Sequence, residues 1–263
     1  MSTSRKIMAE FDVKLGLKLI LEKFESACER RPEEYKYRKP ILVAVSKTKP
    51  TESIITAYEC GQRHFGENYV QELEEKGHNK DILENCKEIK WHFIGHLQRN
   101  KINKVVTTPG LYMVETIHSF KLADGLQAAW SKLDPASKIH GENLKVMIQV
   151  NTSGEIEKHG VPPNEAVTLY KYVVENCPNL VVDGLMTIGK FGYDTSLGPN
   201  PDFITLKQCR DTLCQELNLD LKNVNLSMGM SDDFEQAIEM GSSNVRVGTA
   251  IFGYRPKKNE SSS

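Results

Sequence analysis

A lysine placed directly after a buried strand is the first residue here that suggests chemistry. Ile41-Leu42-Val43-Ala44-Val45 is a continuous run of β-branched and small apolar residues, the pattern of a strand covered on both faces. Ser46-Lys47-Thr48-Lys49 follows at once, and Pro50-Thr51-Glu52 opens a helical pattern. Lys47 therefore stands where a buried strand becomes a loop. Partial desolvation at such a point disfavours the ammonium form, and a neutral amine can attack an aldehyde to form a Schiff base. Alone, the same placement also suits a solvated lysine, so the assignment rests on what lies elsewhere in the chain.

Support comes from the far end. Ser227-Met228-Gly229-Met230-Ser231-Asp232-Asp233 leaves a short apolar run and enters a helical one, with Ser231 or Asp232 expected to cap that helix. Small residues before a helix start turn backbone N–H groups and a hydroxyl toward an anion. Asn244-Val245-Arg246-Val247-Gly248-Thr249 follows. Arg246 brings a fixed charge with directed donors, Gly248 close backbone approach, and Thr249 a further hydroxyl. Each segment alone has a plain structural reading, a capped helix for the first and a salt bridge for Arg246. Together they point to a phosphate site.

The elements that must position these groups alternate strictly. Strands are expected at 41–45, 64–67, 90–94, 111–115, 144–150, 180–188, 224–227 and 244–247, and helices at 8–30, 51–60, 69–84, 100–106, 119–133, 164–176, 202–217 and 231–240. Such alternation implies parallel strands with crossover helices, and eight units fit a single closed (β/α)8 barrel of the TIM type with an extra N-terminal helix. A doubly wound open sheet is the alternative, but the first strand–helix turn lacks G-x-G-x-x-G. In a closed barrel the first and eighth strands adjoin, which brings Lys47 beside Arg246 and Thr249. Barrels often hold phosphate in the loops after strands seven and eight. An amine beside a phosphate cradle suits a phosphorylated aldehyde, either pyridoxal 5′-phosphate (PLP) or the sugar phosphate of a Schiff-base aldolase.

Composition narrows the partners. The 263 residues carry 34 basic and 35 acidic side chains, a balance that argues for neither nucleic acid nor an anionic membrane. No apolar run is long enough to span a bilayer, and the first ten residues lack a secretory core. Six cysteines fall in no C-x-x-C or zinc spacing, so reduced thiols and a cytoplasmic setting are expected, with a mitochondrial pool left open. Residues 1–256 are read as one domain and 257–263 as a disordered tail.

Several longer stretches resemble the PLP-binding, PLP-homeostasis protein family. They are Val43-Ala44-Val45-Ser46-Lys47-Thr48, His64 to Glu72, Trp91 to Gln98, Gly184 to Ile188, Ser227 to Asp232 and Val245 to Gly253. The resemblance runs over roughly residues 10 to 256, and the Pro-rich stretch Gly198 to Phe203 is similar to the eukaryotic branch. It implies a barrel like the N-terminal domain of alanine racemase (fold-type III), with Lys47 as the Schiff-base lysine. Ser227, Gly229, Arg246, Gly248 and Thr249 would form the phosphate end, with Arg246 on the phosphate itself, and Asn68 would lie near the ring. The implied role is storage, protection and delivery of PLP by a monomer that is not an enzyme, with apo PLP-dependent enzymes as recipients. A PLP-dependent amino-acid racemase is the alternative, but the β-rich domain that gives alanine racemase its second base has no counterpart here. Glu67, His92 and His96 are further candidates for which a structural reading is preferred to a chemical one, and Tyr69 and Tyr254 are candidates to line the pocket.

Overall fold

The computed structural model describes residues 11–254. The part of the expected N-terminal helix before residue 11 and the expected tail at 257–263 lie outside them. Asp12 caps the first helix, accepting from Leu15 N at 3.1 Å, and the helix runs from Val13 to Arg30 as α1. Its apolar stripe, Val13, Leu17, Ile20, Phe24 and Ala27, is buried.

Eight strands then close into a parallel barrel in sequence order. They are β1 (Ile41–Val45), β2 (His64–Glu67), β3 (Lys90–Phe93), β4 (Leu111–Ile117), β5 (Leu144–Gln149), β6 (Leu180–Met186), β7 (Asn225–Ser227) and β8 (Asn244–Val247). Closure comes from β1 lying against β8, with Leu42 opposite Val245 and Val43 opposite Arg246. The outer layer comprises α2 (Thr51–Glu59), α3 (Val70–Gly77), α4 (Lys80–Asn85), α5 (Ile102–Val106), α6 (Phe120–Ser131), α7 (Ala166–Asn176), α8 (Pro201–Leu217), α9 (Phe234–Glu239) and α10 (Thr249–Phe252). Strand and helix stripes share one continuous apolar core, from Leu17 and Phe24 on α1 to Trp91, Leu126 and Leu206. The six cysteines form no disulfide, and no described helix is long and apolar enough to cross a membrane.

Two helices differ from expectation. The charged stretch 69–84 is two helices, because Asn79 Oδ1 accepts from Asp81 N and Ile82 N at 2.9 and 3.2 Å and so caps a new start. The helix expected from Ser231 begins instead at Phe234. Asp233 Oδ1 takes the Met230 N–H at 2.7 Å, and this turn holds Ser231 and Asp232 out of the helix.

Candidate functional site

The loops at the C-terminal ends of the strands enclose a cavity of ≈ 240 Å³. Lys47 enters it from the β1 exit, Asn68 from β2, Ile94 from β3, and Ile188 and Phe191 from the β6–α8 loop. Ser231 and Asp232 come from the β7–α9 loop, Arg246 from β8, and Gly248, Thr249 and Tyr254 from the segment after it.

One end of the cavity is a cluster of donors. Thr249 Oγ1 and Ser231 Oγ are 3.1 Å apart, and Gly248 N donates to the same Ser231 oxygen at 3.3 Å. Arg246 N donates to Gly229 O at 3.0 Å, which knits the two loops together. Gly229 has φ +97°, and a Cβ there would come within 2.4 Å of Ala237 Cβ, so only glycine lets this loop turn tightly over α9. Asn68, also in the lining, is pressed into place by the β3 exit. A Cβ on Gly95 would lie 1.7 Å from Asn68 O, so the close approach requires glycine. Asn68 Oδ1 is buried without a hydrogen-bond partner among the described residues.

Below the cavity a buried polar chain crosses the barrel. Arg246 Nη2 donates to Thr187 O at 2.6 Å, and Nη1 donates to Ser227 Oγ, whose hydroxyl donates in turn to Glu115 Oε2. Glu115 Oε1 lies 2.7 Å from His92 Nδ1, and His92 Nε2 lies 2.8 Å from His64 Nδ1. Burial pushes the Glu115 carboxyl up, but the hydrogen bond from His92, the Arg246 charge and the Ser227 hydroxyl outweigh it and hold it below the usual range. An ionised Glu115 makes His92 Nδ1 the donor. His92 Nε2 is then an acceptor, and His64 Nδ1–H supplies its proton. Burial lowers the Arg246 guanidinium, with Glu115 and Asp233 opposing the shift.

Burial, with His92 and Lys90 beside it, pushes His64 down to about 2. The unfolded chain therefore takes up a proton near pH 6.5 that the folded chain refuses, and stability is lost as pH falls below that value. The slope from this one group is at most about 1.4 kcal/mol per pH unit. His64→Gln keeps an amide donor for His92 and has no proton to gain. Urea melts at stepped pH should give it a shallower acid slope than the wild-type chain, and parallel slopes would remove His64 from the account.

Six of the candidate site residues named from the sequence, Lys47, Asn68, Arg246, Gly248, Thr249 and Tyr254, line one cavity. Ser227 lies beneath Arg246, and Gly229 stands behind the loop. Ser231 faces the cavity rather than capping a helix. The Glu115–His92–His64 chain went unforeseen, although a carboxylate inside an apolar strand is the signal that announces one. His96 stacks on His159 at 3.9 Å between ring centres, away from the cavity lining.

The fold is a closed (β/α)8 barrel of the kind found in the N-terminal domain of alanine racemase. The family model described as "Alanine racemase, N-terminal domain" matches residues 30–256. Alanine racemase of Clostridium difficile superposes with a TM-score of 0.64 at 14% identity, over 93% of this chain and 61% of that one, a likeness of fold alone. PipY of Synechococcus elongatus, solved with PLP bound, gives a TM-score of 0.71 at 30% identity, over 89% of this chain and all of that one. The human pyridoxal phosphate homeostasis protein is 52% identical over 247 residues, 94% of this chain and 88% of the human protein. The chain belongs to the pyridoxal phosphate homeostasis protein family.

Proposed function

We propose that this chain binds PLP in the cavity, anchors it covalently at Lys47, and holds and delivers it without robust turnover of its own. One observation carries the reading: Lys47 lines the same cavity as the Ser231, Gly248 and Thr249 donor cluster. The residues fit the cofactor. Two hydroxyls beside a glycine whose Cβ would come within 3.2 Å of Val45 O make a cradle for phosphate oxygens. The unpartnered Asn68 Oδ1 leaves a buried polar group at the cavity wall for a ring substituent. When bound, PLP supplies an aldehyde that condenses with the Lys47 amine and releases water.

The chain's own residues then divide the work. Ser231, Gly248 and Thr249 hold the phosphate. Arg246, on β8, donates from Nη2 to Thr187 O and from Nη1 to Ser227 Oγ and lines the same cavity, where its charge favours an anionic ligand. Ser227 and Gly229 support the site from beneath and behind. Asp232 and Tyr254 line the rim but are solvent-exposed, and neither is a desolvated base facing Lys47, which favours holding over racemisation. The reading takes the chain as one domain to residue 256, cytoplasmic and monomeric, with apo PLP-dependent enzymes as recipients.

The test is to add PLP to the purified chain and record the visible spectrum before and after borohydride, with peptide mapping. The expected result is a visible band that disappears on reduction and a pyridoxyl label on Lys47. Incubation with amino acids should show no sustained racemisation. Absence of any band or uptake would end the PLP reading, and steady turnover would end the carrier reading.

A further inference from the structure

The turn that carries Lys47 is strained, and a buried ionic cluster holds it. Lys49 N donates to Ser46 O at 3.0 Å, closing a four-residue turn in which Thr48 has φ +62°. That conformation favours glycine, and a β-branched residue is poorly suited to it. Such a backbone persists only where its surroundings over-determine it.

Here the surroundings do so. Glu72 Oε2 accepts the Thr48 N–H at 2.6 Å. Lys76 Nζ donates to Ser46 O at 2.8 Å, to Glu67 Oε1 at 2.7 Å and to Glu72 Oε2 at 2.8 Å. The Ser46 hydroxyl donates to Glu67 Oε1 at 2.6 Å. On the other side Lys49 Nζ donates to Gly253 O at 2.8 Å. Glu67 is fully buried and Lys76 is 8% exposed, so an ion cluster occupies the space directly behind the reactive lysine. Apolar packing in such a place is often as stable as a buried ion pair, so stability alone does not account for these charges. They converge on Ser46, at its carbonyl and its hydroxyl, and on the Thr48 N–H, so they hold the two neighbours of Lys47.

We propose that Glu67, Glu72 and Lys76 are positioning residues: they hold the strained Ser46–Lys49 turn so that the Lys47 amine faces the bound aldehyde. The inference rests on the PLP reading of the cavity. Capture joins the Lys47 nitrogen to the aldehyde carbon and releases water, and the clamp acts on the approach of those two atoms. It leaves the phosphate cradle, on the loops after β7 and β8, untouched.

The experiment measures covalent capture and non-covalent binding separately in the full chain. Capture is the rate at which borohydride-fixed pyridoxyl label appears on Lys47 after PLP is added. Non-covalent binding is titrated with pyridoxine 5′-phosphate, which has the ring and phosphate but an alcohol in place of the aldehyde. Glu72→Gln and Lys76→Met should each slow capture roughly 10–100-fold, the scale of a small misplacement of reacting groups, with analogue affinity at the wild-type value. Thr48→Gly added to Glu72→Gln should restore most of the rate, because glycine adopts the turn without the clamp. A variant damaged only in folding would not be rescued by an added glycine. Wild-type capture rates in the single variants would overturn the proposal. So would a joint fall in capture and analogue affinity without rescue. If Lys76→Met does not fold, Glu72→Gln and its double variant decide. Should the wild-type chain itself place no label on Lys47, the cavity reading fails and takes this inference with it, an outcome distinct from normal capture by the variants.

Discussion

Lys47→Ala should abolish the borohydride-fixable label and the visible band that goes with it, while the chain still binds PLP through its phosphate. The proposed covalent bond needs an amine at this position, and no other lysine among the described residues lines the cavity. Lys49, the nearest in sequence, already donates to Gly253 O at 2.8 Å and to Tyr254 O at 3.3 Å. The proposed phosphate contacts lie on other loops, and each hydrogen bond to a charged group contributes about 1.5–3 kcal/mol. Residual affinity should therefore be measurable by equilibrium dialysis and should match that for pyridoxine 5′-phosphate. Undiminished label on another lysine in the variant would move the anchor away from Lys47. Loss of all binding would mean that the phosphate cradle contributes little.

That expectation could be framed from the sequence because the barrel is written in it plainly. Each strand is a short apolar run bounded by turn residues, and the seventh and eighth exits carry the small residues that phosphate loops require. Closure by β1 against β8 then brings Lys47, Gly248 and Thr249 together. Less legible was which polar residues face the cavity and which support it. Ser227 and Arg246 both lie in strands, and their partner Glu115 comes from β4, on the far side of the sheet order. That pairing depends on how side chains cross the barrel interior, which no local pattern encodes. Lys76 was equally hidden. Its stretch reads as a charged helix, but α3 packs against β2 and β3, and Lys76 in its last turn reaches inward to Ser46 O just beyond β1.

The interior pairing gives the second large effect. Arg246→Met should cost about 3–5 kcal/mol of stability near neutral pH, the usual penalty for removing one partner of a buried ion pair. Glu115 is fully buried, and its carboxylate depends on the Arg246 charge together with the His92 and Ser227 hydrogen bonds. With the guanidinium gone, only the His92 and Ser227 interactions oppose burial, and the folded-state pKa of Glu115 is expected to rise above its unfolded value. A group raised in this way is compatible with folding below its unfolded pKa and destabilises the fold as pH increases. The wild-type group has the opposite sign, since its lowered carboxyl stabilises at neutral pH and loses that contribution on acidification. The gap between variant and wild type should therefore narrow as pH falls toward about 4–5. Replacing both partners, Arg246→Met with Glu115→Leu, should recover much of the loss, because no uncompensated charge stays buried. Urea denaturation of the two single variants, the double variant and the wild type at two pH values closes the cycle. A gap independent of pH, or a double variant no more stable than Arg246→Met, would show that Arg246 acts by filling space rather than by balancing Glu115.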